Sequence, residues 1–117
     1  MKTREVKLSC GKATMRGMLN KEMSILKLGV DSINEEYDKK DRSENRFNDD
    51  YEKAERITNL NNRVFSKCVV EHTLELNGRE LHEVVAEFNS EDSEKFFKTV
   101  MDLTHIYTKK KKKSGST

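Results

Sequence analysis

Proline and tryptophan are absent from these 117 residues, and phenylalanine and tyrosine together supply only eight aromatic rings. Apolar residues make up 33% of the chain and Asp, Glu, Lys and Arg 38%. Ordinary globular domains hold about 45–50% and about 25%, so the core is expected to be thin. An isolated monomer of this composition is expected to be marginally stable unless oligomerisation or a partner buries further apolar surface. No stretch of about 18 apolar residues occurs, which argues against a membrane span. Met1 to Glu5 leads into no hydrophobic signal region, and a cytoplasmic location is expected, the host cytoplasm if the chain is viral. Two cysteines, Cys10 and Cys68, make no disulfide framework, and a reducing compartment leaves both as thiols. The length fits one domain, since single cores occupy roughly 100 to 200 residues.

The net charge of +2 hides an uneven distribution. Residues 1–30 carry seven basic and two acidic side chains, residues 31–108 eleven basic and nineteen acidic, and Lys109, Lys110, Lys111, Lys112 and Lys113 follow. A dedicated nucleic-acid binder would instead cluster basic residues over a folded face and interleave them with aromatics. The lysine run offers a polyanion contact by counterion release, but without stacking groups it reads equally as a solubilising tail.

The pattern predicts a mainly α fold: one small helical domain over 1–108 with an N-terminal β-hairpin (α+β), then a disordered basic tail over 109–117. Val6, Leu8 and Cys10 alternate with polar residues, Gly11-Lys12 offers a turn, and Thr14 to Arg16 can run back, placing the hairpin at 5–17. From Asn20, a plausible N-cap, Met23, Leu26, Val30, Ile33 and Tyr37 recur at helical spacing and predict a helix over 20–37. Ile25 and Leu28 fall outside that stripe, which leaves room for a second contact surface. Residues 38–50 hold five acidic and four basic side chains with only Phe47 to bury, and read as a linker or frayed helix end. A second helix is predicted over 49–72 from Tyr51, Ala54, Ile57, Leu60, Val64, Cys68 and His72, pairing with the first as a helical hairpin. Asn77-Gly78 marks a turn, followed by short and long helices over 79–88 and 90–106, the latter capped by Asn89-Ser90.

None of the constellations that carry chemistry is complete. Cys68 and His72, four apart on a predicted helix, have the spacing of two ligands to one metal, with Cys10, His82 or His105 to complete a set. No second close Cys or His pair supports zinc, and core packing explains both residues. Gly11-Lys12-Ala13-Thr14 fails the phosphate-loop pattern, because Val6 stands where its first Gly belongs and Ala13 follows the Lys. No nucleophile-elbow pattern is present, and Glu35-Glu36, Asp49-Asp50 and Glu91-Asp92 lie in charged stretches that read as solvated faces. The expectation is a chain that is no enzyme and uses no cofactor.

The stretch Glu5-Val6-Lys7-Leu8-Ser9-Cys10-Gly11-Lys12, followed by Met18-Leu19-Asn20-Lys21-Glu22, resembles the opening of tail assembly and baseplate-hub assembly chaperones of contractile-tailed phages. Leu76-Asn77-Gly78-Arg79-Glu80-Leu81, leading into Asn89 to Glu94 and a last amphipathic helix, is similar to their C-terminal half. The likeness is one of pattern over residues 4–104, and the charged segment 38–50 and the lysine tail depart from it. It implies a non-catalytic assembly factor that shields a tail or baseplate protein until assembly.

The residues themselves point to a protein partner. Met15, Met18, Leu19, Met23 and Leu26 place surplus apolar surface around the junction of hairpin and first helix, and are the expected contact with a client or a second copy of the chain. The alternative for the methionines is that they close the domain's own core. Competing functions are a small regulator or inhibitor that grips one host protein, and a nucleic-acid-associated protein acting through the lysine tail.

Overall fold

The computed structural model describes residues 2–39 and 46–115, with side chains described at 2–39 and 47–104. Its elements run β1 (Thr3–Leu8), β2 (Gly11–Arg16), α1 (Asn20–Asp38), α2 (Arg46–Ser66), β3 (Val69–His72), α3 (Leu81–Val85) and α4 (Ser90–Gly115). The chain is a small, mainly helical α+β domain, 61% helix, whose sheet is built on the N-terminal hairpin.

The alternation that predicts the hairpin places Val6 and Leu8 of β1, with Ala13 and Met15 of β2, on one buried face. The turn falls at Ser9 and Cys10, and Gly11 is already paired with Leu8, two residues earlier than the expected Gly11-Lys12 turn. A third strand, β3, lies antiparallel along β2, giving the order β1-β2-β3. It corrects the far end of the helix predicted over 49–72, which stops at Ser66. Phe65 and Val64 carbonyls accept tight bonds from Cys68 and Lys67, which ends α2, and the β-branched pair Val69-Val70 continues as strand.

The main core lies where the inner sheet face meets α4 and the C-terminal part of α2, with Met15, Cys68, Phe96 and Val100 fully enclosed. Phe65, Phe88, Phe96 and Phe97 form an aromatic cluster with ring centroids 5.1–5.6 Å apart in tilted and edge-on pairs, the favoured geometries. Gly17 lets the chain leave β2 against α4, since a Cβ there would stand 2.9 Å from the Thr104 amide nitrogen. The next residue fastens the same contact, as the Met18 amide donates to Thr104 Oγ1 at 2.8 Å.

α1 and α2 pair as the predicted helical hairpin. Leu60 packs over Gly29, where a Cβ would come within 2.5 Å of its Cδ2, so the absent side chain lets the helices approach closely. Ile33 and Tyr37 are buried further along this arm, outside the main core, and Arg56 ion-pairs with Glu36 and lies 5.7 Å from the Tyr37 ring centroid. The molecule measures 47 × 46 × 22 Å, a flat shape in which the arm projects from the sheet and α4.

Of the segment 38–50, expected as a linker or frayed helix end, Asp38 belongs to α1 and 46–50 to α2, and residues 40–45 lie outside the described residues. α3 is shorter than the predicted 79–88. α4 overruns its predicted end at 106, and its helical backbone includes Lys109 to Lys113, where no regular structure was expected. Lys is a good helix former, and no Gly or Pro interrupts the segment before Gly115. Residues 116 and 117 of the expected tail lie outside the described residues.

Candidate functional site

Two of the five residues expected to meet a partner are core residues. Met15 is wholly buried on the central strand and Met18 is 7% exposed beneath α4, so neither offers surface. The sheet explains the difference: a third strand and a long α4 give it a deeper inner face than a lone hairpin has, and the methionines fill it. Met23 and Leu26 are half-buried against that core. Only Leu19, 41% exposed, remains on the surface.

The exposed apolar side chains cluster elsewhere. On α1, Ile25 and Leu28 are 47% and 69% exposed; on α2, Phe47 and Tyr51 are 80% and 65% exposed. The α1 pair is the one the sequence already separates from the buried stripe. Tyr51 and Ala54 share the spacing that predicts the second helix yet are exposed, and helical geometry explains why. Steps of three residues drift about 60° per step, so Tyr51 ends about 180° from Leu60, nine residues on. Phe47 is the one phenylalanine outside the aromatic cluster. With Leu60 over Gly29, Phe47 lies about 20 Å along α2 from the level of Leu28, so the arm carries two separate apolar patches.

The arm's root is locked by charge. Arg16, at the end of β2, grips Glu22 with both guanidinium nitrogens at 2.7 and 2.8 Å and also donates to the Lys67 carbonyl at 2.8 Å. Glu22 accepts the Leu19 amide at 2.9 Å, capping α1 from within the helix. Leu19 is therefore the N-cap position, and Asn20 is already helical. The Arg16 hydrogen bond holds the Glu22 carboxyl below its usual range, and Glu22 in turn raises Arg16. Burial, reinforced by Glu22, pushes the adjacent Cys68 thiol up to about 12, which makes it a poor nucleophile and a poor metal ligand.

Cys68 and His72, whose helical spacing would have suited two ligands to one metal, do not share a helix. Cys68 sits between α2 and β3, His72 lies in β3, and four extended residues separate them by about 13 Å. His72 Nδ1 instead accepts the Leu74 amide at 3.1 Å. Glu80, His82 and Glu83 bring ligand atoms within 4.8 Å of one another at the start of α3. His82 Nδ1 lies 3.2 Å from Glu80, and both carboxylates are exposed. At the far end of the sheet, Asp92 accepts the Ser9 amide at 3.0 Å and the Ser9 hydroxyl, which hold its carboxyl below the usual range. The Asp92 amide is capped by Asn89 Oδ1 at 2.8 Å, so one residue ties the hairpin turn to the start of α4.

Arg16, Glu22 and Asp92 tie one part of the fold to another, and among the described residues no helix is long and apolar enough to cross a membrane. No protein-family model, curated protein or solved structure matches the chain.

Proposed function

We propose that the chain is a non-catalytic protein-binding factor that holds its partner on the α1–α2 arm. One observation carries this reading: of the seven exposed large apolar residues among those described, Leu19, Ile25, Leu28, Phe47 and Tyr51 belong to the arm. A chain with so little apolar material has reason to bury it, and surplus apolar surface in a charged protein marks an interface. The surrounding chemistry supports binding over catalysis, since the perturbed groups are consumed in structural contacts and Cys68 is buried. The resemblance to phage tail and baseplate assembly chaperones makes the client a structural protein shielded before assembly.

Photocrosslinkers at positions 47 and 51, both exposed on α2, with mass spectrometry of the adducts from the native source, test the reading. A common partner captured from both sites, and absent when the probe sits on the outer sheet face at Lys7, is the expected result. Equal capture at all three positions, or none, overturns it.

A further inference from the structure

The face of α1 turned away from α2 carries an ordered pattern. Lys21, Leu28 and Glu35 recur every seven residues, with Ser24, Ile25 and Ser32 between them, and all six are exposed. Seven residues turn 700°, within about 20° of two full turns, so Lys21, Leu28 and Glu35 form one line along the helix. The line begins basic, is apolar in the middle where Ile25 and Leu28 stand out, and ends acidic. Ser24 and Ser32 are small enough to let another helix approach.

A stripe that runs positive, apolar, negative is its own complement when turned end for end. We infer that this face binds a second copy of the chain, α1 against α1, antiparallel about a twofold axis at Leu28. At 1.5 Å per residue, Lys21 and Glu35 each lie about 10.5 Å along the helix from Leu28, on opposite sides. Antiparallel pairing therefore sets Lys21 of each copy opposite the partner's Glu35, twice over, while Leu28 meets the partner's Leu28 and the two Ile25 side chains close the centre. Parallel pairing would oppose Lys21 to Lys21 and Glu35 to Glu35, so charge selects the antiparallel arrangement. Glu35 meets Lys39 Nζ at 3.4 Å within its own helix, but both side chains are largely exposed and such a pair is easily rearranged. Glu36 is held by Arg56 and stays out of the exchange. The thin core adds to the case, because a dimer gives Ile25 and Leu28 the burial that the monomer cannot.

The inference rests on the arm being a binding surface and names the occupant of its α1 patch. Light scattering on the full chain over a concentration series tests it. The mass is expected to rise toward twice that of the monomer, and Lys21→Glu or Glu35→Lys alone should weaken association at least about tenfold. Mixing the two variants should restore it, since the introduced glutamate then faces the introduced lysine and the unchanged Glu35 of one variant faces the unchanged Lys21 of the other. Both positions are exposed, so each variant should still melt cooperatively, at a midpoint lowered only by its weaker association. A mass that stays at one chain throughout, single variants that associate as well as the wild type, or a mixture no better than its parts overturns the proposal. A monomer whose arm still crosslinks to a client overturns the dimer alone, whereas a dimer with no client overturns the client reading alone.

Discussion

A side chain at position 17 would stand 2.9–3.1 Å from the backbone of Leu103 and Thr104, so it must push the exit of β2 off α4. Gly17→Ala is expected to cost about 1–3 kcal/mol, read from the denaturant midpoint, because the obstructing atoms are backbone and cannot rotate away. Asp92 makes a pH-dependent contribution. Its carboxyl titrates at about 3.9 when unfolded and lower when it accepts the two Ser9 bonds, so its stabilisation is complete above the unfolded value. That contribution is lost as pH falls through the folded value. Asp92→Asn should cost about 1.5–3 kcal/mol at neutral pH and flatten the acid side of the stability profile, checked by urea melts at several pH values. The two thiols differ in the same measurable way. Cys10 is exposed and should react with a thiol reagent in the native protein, while buried Cys68 should react only when denaturant opens the core.

At the level of elements, hydrophobic period decides what a sequence can reveal. β1, β2 and α1 were legible because Val6 and Leu8 alternate and Met23, Leu26, Val30, Ile33 and Tyr37 keep step with one helical face. The end of α2 was not, because Cys68 and His72 continue a helical spacing by chance while Val69-Val70 turn the chain into a strand whose partner, β2, lies more than fifty residues earlier. Local pattern carries no record of such a pairing. The same strand hides the role of Met15 and Met18, which look like surface beside a lone hairpin and are core beneath a third strand and α4. The consequence is testable: Met18→Asp should unfold the domain, since an unpaired buried charge costs several kcal/mol, about 3–5 by analogy with a broken buried pair. Leu28→Asp, on the exposed face of α1, should leave the cooperative melt intact. The helical extension 109–115 is expected to be dispensable for folding, because its residues offer no apolar group to the core. Deleting 109–117 should therefore preserve the melt.

As a whole, the molecule divides its apolar material unevenly. Sheet, α3, α4 and the end of α2 close one core, and the arm projects from it with Arg16 and Glu22 fixing its root. The exposed apolar patches on this attached helical hairpin are the feature on which the proposed protein-binding role rests. The α2 patch is hidden in the sequence because Phe47 sits in a charged stretch and Tyr51 shares a spacing that drifts around α2, whereas Ile25 and Leu28 stand apart from the buried stripe of α1. The most direct test compares partner retention by the wild-type chain with that by a variant carrying Ile25→Ser, Leu28→Ser, Phe47→Ser and Tyr51→Ser, both immobilised in the native extract. The account predicts that the variant melts cooperatively and loses the retained partner; a folded variant that retains it as fully as the wild type would contradict the claim that the arm is the binding surface.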